Sequence, residues 1–173
     1  MASIFGHSLA AIALGKTLSS ELRKPTFWIL GILCSIVPDA DIIGFKFGVP
    51  YDSFWGHRGF THSFLFTAFI GVVIAYLFYN TRRPLLALYC TLFTASHSIL
   101  DAMSSGGRGV AFFSPFENSR FFIPWRPIQV SPIGAKRFFS ELGFVVLKSE
   151  AVWIGIPFLA VFIITYFQNK NRR

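Results

Sequence analysis

The stretch WGHRGFTHS, from Trp55 to Ser63, holds two imidazoles and one guanidinium within nine residues. It leads directly into Phe64–Tyr79, a run that is almost wholly apolar. Ionisable groups at the mouth of a membrane-length segment are costly to bury without partners, and in membrane proteins they usually mark a functional site. The fold is therefore expected to bring partner residues to this stretch from other parts of the chain.

Candidate partners can be found because ionisable side chains inside apolar surroundings are few. Pro38-Asp39-Ala40-Asp41 ends one apolar run, and His97 precedes Asp101 by four positions near the end of another. His7 lies near the start, so all four histidines of the protein belong to the group. The complete set of predicted metal ligands is His7, Asp39, Asp41, His57, His62, His97 and Asp101.

The composition is that of an integral membrane protein. Of the 173 residues, 53% are hydrophobic and only 14% are charged, whereas a soluble domain carries roughly 25% charged residues. The mean hydropathy is +0.56. A chain of this length is expected to form a single membrane-embedded domain over residues 1–173.

The formal net charge of +8 bears on the expected partners. Basic residues are scattered and lack the aromatic or helix-turn-helix context of a nucleic-acid-binding protein, so nucleic acid is not expected. Attraction to anionic lipid head groups, or to phosphate in a substrate, explains the charge more simply. The expected partners are the lipid bilayer and a phosphorylated lipid or lipid-linked substrate.

Hydrophobic runs predict an all-α integral membrane protein, a compact bundle of about four to five transmembrane or re-entrant helices. Phe60–Tyr79 is the clearest span, because as a helix it reaches about 30 Å. Thr26–Val37 reaches only about 18 Å, and is expected to be re-entrant or to form a hairpin with the first helix. The remaining predicted helices are Ala2–Leu18, Leu85–Met103 and Ala151–Phe167, with a candidate kink at Pro157.

Two long loops separate these helices. Gly44–Gly56 is punctuated by glycine and proline. Ser104–Arg137 mixes glycine and proline with aromatic and basic residues, which is typical of a segment in the membrane interface. Phe138–Leu147 is either an interfacial helix or the start of the last span.

Basic residues are densest in three short connections, Lys16–Lys24, Asn80–Pro84 and the tail Gln168–Arg173. Alternation of the spans places these three on one side, and Lys and Arg near helix ends favour the cytoplasmic side. The two long loops and the predicted ligands then lie at the extracytoplasmic face. Segments that are far apart in sequence would thus bring their ionisable residues to one membrane face.

Together the predicted ligands suit a metal centre, although each motif by itself has a simpler interpretation. His97 and Asp101 share one helix face, where they can bind one metal or merely hydrogen-bond to each other. Asp39 and Asp41 cannot both stay ionised near a membrane without a cation, unless they are solvated acids at a helix end. His7 alone would be a hydrogen-bonded core residue. The set offers enough nitrogen and oxygen ligands for one or two divalent ions, Zn²⁺ or Mn²⁺ before Fe.

Four residues are predicted to be catalytic: Asp39, Arg58, His62 and Asp101. Arg58 could hold a phosphate through two parallel hydrogen bonds; the alternative is a salt bridge to Asp52 or to one of the Asp39/Asp41 pair. Thr61 and Ser63 could orient ligands, but capping of the following helix is the simpler interpretation.

The order and spacing of these motifs resemble the YdjM-like family of membrane-bound metal-dependent hydrolases. The match is carried by an early histidine, Pro-Asp-x-Asp, His-Arg-Gly-x-Thr-His-Ser and His-x-x-x-Asp, which stand here at His7, Pro38–Asp41, His57–Ser63 and His97–Asp101. It covers roughly the first 105 residues of the chain. The resemblance implies a multi-pass protein of the bacterial inner membrane with a metal site, and does not determine a substrate. Ser104–Arg137 is the least family-like part and is expected to shape the substrate site.

These observations lead to one hypothesis and two alternatives. The hypothesis is metal-dependent hydrolysis of a phosphoester, on a lipid or lipid-linked substrate that reaches the interfacial site laterally. A metal-ion or proton transporter would need a polar route to the other face, where the helices offer little beyond Thr67, Thr91 and Thr94. A non-catalytic regulatory membrane protein, in which a metal only holds the helices together, is also compatible with the sequence.

Overall fold

The computed structural model describes residues 1–18 and 22–170, and within them the regular structure is helical. The extended pairings in this part of the chain are two isolated bridges, Ser104 with Ile128 and Val110 with Phe121. The predicted all-α architecture is therefore confirmed. Part of two predicted basic connections, residues 19–21 and 171–173, lies outside the described residues.

The first two helices begin where the sequence provides for their exposed backbone ends. Helix α1 (Ile4–Lys16) is capped by Ser3, whose Oγ accepts a hydrogen bond from Gly6 N at 3.3 Å. Helix α2 (Pro25–Ile36) has a proline in its first turn, where a missing N–H is tolerated. The two helices pack against each other.

Helix α2 is not short, as the sequence had suggested, because it continues into a 3₁₀ helix over Val37–Phe47. Pro38 has no N–H with which to continue the α-helical ladder, which explains the change to tighter turns. The prediction of a loop over all of Gly44–Gly56 is wrong at its start, because regular structure ends only at Gly48, with φ of 77°. The combined helix Pro25–Phe47 has 23 residues and is long and apolar enough to cross a membrane.

The span predicted at Phe60–Tyr79 is interrupted near its start. Phe60–His62 forms a 3₁₀ turn, Ser63 is extended, and the regular helix α3 covers Phe64–Phe78. Ser63 Oγ accepts a hydrogen bond from Phe66 N at 3.1 Å, so the predicted capping by Ser63 is confirmed. Helix α3 reaches about 22 Å, less than the ~30 Å hydrocarbon core, and the prediction of a full-length span here is wrong.

Helix α4 (Arg83–Ala102) lies at the centre of the bundle and packs against α1, α2 and α3. The backbones of α3 and α4 approach so closely that a Cβ added at Gly71 would lie 2.1 Å from Thr91 Oγ1. The first half of α4 faces an apolar core of buried side chains: Phe27, Cys34, Leu86, Cys90 and Phe93.

The chain beyond α4 forms a long irregular segment and then three helical pieces. These are α5 (Ala135–Phe138), α6 (Glu141–Glu150) and α7 (Ile156–Lys170), with a π-helical segment, Ala151–Gly155, between the last two.

Helices α6 and α7 form one continuous apolar helix, Glu141–Gln168, of 28 residues. Of the two alternatives for Phe138–Leu147, the start of the last span is confirmed from Glu141 onward, whereas Phe138 ends the short helix α5. The π-helical segment ends two residues before Pro157, the candidate kink, and such local adjustments accommodate the missing N–H of a proline in a membrane helix.

Three helices in the described part of the chain are long and apolar enough to span a bilayer: Pro25–Phe47, Arg83–Ala102 and Glu141–Gln168. Helices α1 and α3 are shorter apolar helices packed among them. This arrangement agrees with the predicted bundle of about four to five transmembrane or re-entrant helices.

Candidate metal centre

Five of the predicted ligands meet at one end of the bundle, although they come from four separate elements. His7 belongs to α1, Asp39 to the 3₁₀ segment, His62 to the turn before α3, and His97 and Asp101 to the last turns of α4. The side chains of the three histidines and of Asp101 are fully buried, whereas that of Asp39 is 17% exposed. The cluster is therefore open to its surroundings on the Asp39 side.

Four ligand atoms face one another at the centre of this cluster. The Nε2 atoms of His62 and His97 are 3.1 Å apart. Asp39 Oδ1 lies 3.3 Å from His97 Nε2 and 3.7 Å from His62 Nε2, and Asp101 Oδ2 lies 3.9 Å and 3.7 Å from the same two atoms. Ligand atoms around a tetrahedral zinc ion with bonds of about 2.0 Å are about 3.3 Å apart. The spacing of the four atoms therefore fits a small divalent ion.

Two carboxylate oxygens of this group lack hydrogen-bond donors. Asp39 Oδ1 and Asp101 Oδ2 are buried and accept no hydrogen bond within the described residues. Arg58 Nε lies 2.9 Å from Asp101 Oδ2, but without the alignment of a hydrogen bond. A buried carboxylate oxygen without a hydrogen-bond donor costs about 1–3 kcal/mol, and at Asp101 Oδ2 the charge of Arg58 offsets only part of the lost hydration. A cation between the two carboxylates would remove this penalty.

Hydrogen bonds on the outer nitrogens direct the imidazole lone pairs into the same space. His97 Nδ1 lies 2.8 Å from the carbonyl oxygen of Ser35. A carbonyl can only accept, so Nδ1 carries the proton and Nε2 the lone pair. His62 Nδ1 similarly faces Asp41 Oδ2 at 3.3 Å and Thr61 Oγ1 at 3.0 Å. Two lone pairs at 3.1 Å repel each other unless a proton or a metal ion lies between them.

The electrostatic surroundings of His62, in the turn before α3, favour a positive charge. Burial lowers the pKa of His62, but hydrogen bonds to Asp39 and Asp41 and the charges of Asp41 and Asp101 outweigh burial and raise the pKa to about 9. A proton on His62 Nε2 satisfies the contact with His97, and a divalent cation held by the same carboxylates would have to displace that proton.

His7 lies against the outer side of the same group. Its ring stacks on that of His97, with centroids 3.7 Å apart, and its Nε2 lies 3.4 Å from Asp101 Oδ1. Neither nitrogen has a hydrogen-bond partner among the described residues. His7 therefore lies beside the Asp101 carboxylate and outside the four converging ligand atoms, although it was predicted as a ligand.

A second group, Asp41, His57 and His62, shares one imidazole with the first. Asp41 Oδ1 lies 2.8 Å from His57 Nδ1, and Asp41 Oδ2 accepts hydrogen bonds from Thr61 Oγ1 at 2.7 Å and Arg58 N at 3.1 Å. Both oxygens of Asp41 are thus occupied by donors. For Thr61, the orienting interpretation fits this contact better than capping does.

Arg58 is buried and faces the protein interior. Its Nη1 donates to Gly106 O and its Nη2 to Ser104 Oγ, both at 3.0 Å, while Nε lies against Asp101. The alternative salt bridge predicted for Arg58, to Asp52 or the Asp39/Asp41 pair, is wrong about the partner. Because Arg58 is buried and its three nitrogens face these groups, the guanidinium is not accessible to a substrate phosphate in this arrangement.

The long loop after α4 forms a wall over Arg58. Ala111 N donates to Arg58 O at 3.0 Å, and Phe64 N donates to Phe112 O at 2.9 Å, which ties the loop to both sides of the His-Arg-Gly-x-Thr-His stretch. Gly107 has φ of 89°, and a Cβ there would lie 2.4 Å from Arg58 Nη1. Only glycine lets the loop pass this close to the guanidinium.

The basic residues of the loop differ in accessibility. Arg120 is half-buried, and its guanidinium donates to the carbonyl oxygens of His57 at 2.7 Å and Tyr51 at 2.9 Å. Arg108 is 64% exposed, pairs with Asp52 and lies 5.6 Å from the centre of the Tyr51 ring. Because Tyr51 in turn packs edge-on against His57, Arg108 presents an accessible guanidinium at the rim of the cluster.

Sequence reasoning missed the contribution of Glu150. This residue is 4% exposed, and its carboxylate accepts hydrogen bonds from Ser3 N and, at 2.6 Å, from Ser3 Oγ. The neighbouring Ala2 N donates to Asp101 Oδ1 at 3.0 Å. Glu150 therefore anchors the segment that contacts a predicted ligand. An acid inside an otherwise apolar membrane helix is the signal that could have identified it.

Comparisons with known proteins extend over almost the whole chain. The family model described as YdjM inner membrane protein matches residues 1–172. Inner membrane protein YbcI of Escherichia coli (strain K12) is 35% identical over 160 residues, covering 91% of this chain and 92% of that protein. No solved structure matches the chain.

The family match continues through the long loop and the last span, so the sequence-based limit of the resemblance, near residue 105, was too narrow. Both the family and the relative are inner membrane proteins, and the helices of this chain are long enough to span a bilayer more than once. The chain therefore belongs to the YdjM inner membrane protein family and is a multi-pass protein of the bacterial inner membrane.

Proposed function

We propose that the chain is a metal-dependent hydrolase that cleaves a phosphoester of a lipid or lipid-linked substrate, with residues 1–173 acting as one membrane domain. One observation carries the proposal. Two imidazole nitrogens and two carboxylate oxygens that lack hydrogen-bond donors converge, all within 4.8 Å of one another, at the partly exposed end of a membrane bundle.

The residues proposed to hold the ion are His62, His97, Asp39 and Asp101. Imidazole and carboxylate ligands together suit Zn²⁺ and Mn²⁺. The geometry favours one ion per chain over two, because Asp41, the carboxylate of the second group, already accepts hydrogen bonds on both oxygens.

The remaining predicted site residues are proposed to position the ligands. Asp41 orients His62 through Nδ1, the arrangement in which a carboxylate fixes the ring of a metal-bound histidine. Arg58 balances the charge of Asp101 from one side, and His7 contacts the other oxygen of the same carboxylate. His57 is held by Asp41 and supports the loop through its own carbonyl oxygen.

A divalent ion bound here supplies a Lewis acid for a phosphoryl oxygen and lowers the pKa of water. The chain contributes the proton acceptor and the phosphate contact. Asp39 is the ligand at the open side of the cluster, so Oδ1 would hold the ion and Oδ2 is the proposed proton acceptor for the attacking water. Arg108, exposed at the rim, is proposed to bind the phosphate in place of the buried Arg58.

Exposed aromatic side chains support a substrate with an acyl or prenyl chain. Phe47 is 81% exposed, Trp55 is 61% exposed and Phe116 is 86% exposed, and all three lie in the segments that surround the cluster. Apolar side chains that project this far are stable in the membrane interface, where a lipid substrate would also lie.

The first test is metal content. Protein purified without a nickel column is expected to contain about one zinc or manganese ion per chain by elemental analysis, as in four-ligand sites. His62→Ala should lose most of the metal. Thr94→Val is the matched control, because Thr94 is also buried on the inside of the bundle but only donates to Cys90 O of its own helix. Folded protein that takes up neither Zn²⁺ nor Mn²⁺ would contradict the proposal.

The second test is turnover by metal-loaded protein. Phospholipids, lipid phosphates and polyprenyl diphosphates in mixed micelles are screened for metal-dependent release of phosphate or a phosphorylated head group. Asp39→Asn should abolish release, and Arg108→Gln should raise KM more than it lowers kcat. Cleavage of soluble esters or peptide bonds alone would rule out the lipid phosphoester.

The burial of the cluster favours a second function, in which the metal only joins the helices. Four protein ligands complete a tetrahedral site, whereas catalytic zinc keeps one position open. Metal-loaded protein that cuts no substrate and has no exchangeable coordination position would support this function. The transporter alternative gains no comparable support, because the hydroxyls of Thr67 and Thr94 donate to carbonyls of their own helices.

A further inference from the structure

A cleft of about 320 Å³ lies between α1, α4 and the last span, and none of the predicted metal ligands lines it. It arises because α7 packs against α1 and leaves a gap to α4. Almost all of its surface is apolar, and its walls include Ala13, Leu92, Ile99, Trp153 and Val161. The cleft runs along the helices for about two turns, from the level of Ile99 to the level of Leu92.

Hydrocarbon is the occupant that such a cleft requires. Water gains no hydrogen bonds in an apolar cavity, so it would not fill this space. Leu92, Ile99 and Trp153 line the cleft and are each partly exposed at the apolar surface of the bundle, so the cleft opens sideways there. An acyl chain can therefore enter from the side without crossing a polar layer.

A basic residue at one end of the cleft supplies a contact for a head group. Lys16, the last residue of α1, lies two positions beyond Leu14 of the cleft wall. Its Nζ is 4.9 Å from the centre of the Phe162 ring and 6.0 Å from that of Trp28. Within residues 1–18 and 22–170, Lys16 forms no ion pair with a carboxylate. Lys16 thus places a positive charge where the apolar cleft meets the membrane face opposite the metal cluster.

We infer that this cleft binds one anionic phospholipid, with an acyl chain between α4 and α7 and the phosphate on Lys16. The inference depends on the membrane location and not on the proposed hydrolase activity. The lipid would fill the gap beside α4 and so support the helix that carries His97 and Asp101, without itself being the substrate.

Native mass spectrometry tests the inference. Full-length protein in mild detergent is mixed with phosphatidylglycerol or phosphatidylcholine of equal chain length, and the retained lipid is counted. The wild-type protein should retain one phosphatidylglycerol per chain in preference to phosphatidylcholine. Lys16→Gln should weaken retention about fivefold, as expected for one Lys contact with an anionic head group. Lys148→Gln is the matched control, because Lys148 also lies over a phenylalanine ring, 4.4 Å from the centre of Phe144, but outside the cleft.

A second pair of variants tests the acyl chain contact independently. Ala13→Phe fills the cleft and should displace the lipid, whereas Ala160→Phe adds the same ring on the exposed side of α7 and should not. Equal retention of both lipids, or undiminished retention by Lys16→Gln, would overturn the inference. A lipid-free dimer that Ala13→Phe dissociates would assign the cleft to a second copy of the chain and would also overturn it.

Discussion

The two halves of α4, divided after Phe93, bury their side chains by opposite means. In the first half, Cys90 and Phe93 pack against an apolar core that includes Phe27. In the second half, His97 and Asp101 are equally buried but are surrounded by ionisable groups from three other elements. The first half needs only shape complementarity, so many apolar residues could serve there. The second half needs particular atoms in particular places, because each buried charge must meet a partner.

The comparison also explains why the cluster end is tied together by so many segments. The Asp101 carboxylate alone is contacted by Ala2 N, by Arg58 and by three histidines: His7, His62 and His97. Among the residues that the structure describes, the apolar half has no such convergence of polar contacts. A buried polar network of this kind is stable only when every member has its partners, and the two unpartnered carboxylate oxygens are where a metal ion would complete it.

The largest difference between the halves should appear on truncation of Asp101. Asp101→Ala leaves the buried Arg58 guanidinium without a carboxylate, which should cost about 3–5 kcal/mol of folding free energy, and should also abolish metal binding. Phe93→Ala should cost a similar amount, about 3–5 kcal/mol, through a cavity. Thermal unfolding in detergent and elemental analysis on both variants test this. Loss of metal in the Phe93 variant, or its retention in the Asp101 variant, would break the comparison.

A smaller effect is expected at Asp41, which contacts the ligands without being one of the four central ones. Asp41→Asn should lower metal affinity by about 10–100-fold while leaving the number of bound ions at one. Competition with a chromophoric chelator measures the affinity. A fall from two ions to one, measured in parallel by elemental analysis, would show instead that Asp41 binds a second ion.

The next effect in size concerns Glu150, which holds the segment beside Asp101. Glu150→Ala leaves two donors of Ser3 without acceptors and should cost about 1–3 kcal/mol. Glu150→Gln keeps one acceptor oxygen and should therefore lower the folding free energy by less than Glu150→Ala does. Thermal unfolding with and without added metal distinguishes the two variants. If Ala and Gln behave alike, the hydrogen bonds to Ser3 do not account for the burial of this side chain.

The last prediction concerns sidedness and involves no change in stability. The density of basic residues in the short connections favours an extracytoplasmic position for the opposite end of the bundle, where the His and Asp cluster lies. In a background without Cys34 and Cys90, Ser119→Cys should react with an impermeant maleimide in intact cells, whereas Thr81→Cys should react only after lysis. The reverse labelling pattern would show that the cluster faces the cytoplasm. It would not change the difference between the two halves of α4.

The comparison shows which features could be predicted from sequence. Membrane insertion and the all-α class follow from composition and from runs of apolar residues, which are local properties. The set of ionisable residues that meet at one end was also predictable, because polar groups in apolar segments are few and alternation of spans assigns them to a face. Helix ends were less predictable: Asp39 and Asp41 looked like the end of a helix, yet the helix continues through them to Phe47.

The sequence by itself thus determined where the protein resides, what class of fold it has and which residues are candidates for its chemistry. Only the tertiary structure decided the partner of each group. Arg58 pairs with Asp101 and Ser104, more than 40 positions away, and Glu150 meets Ser3 across the whole chain. No local pattern encodes such pairs, because they depend on how separately formed helices pack. The same packing decides that Asp41 is occupied by hydrogen-bond donors while Asp39 Oδ1, two residues earlier, meets no donor among the described residues.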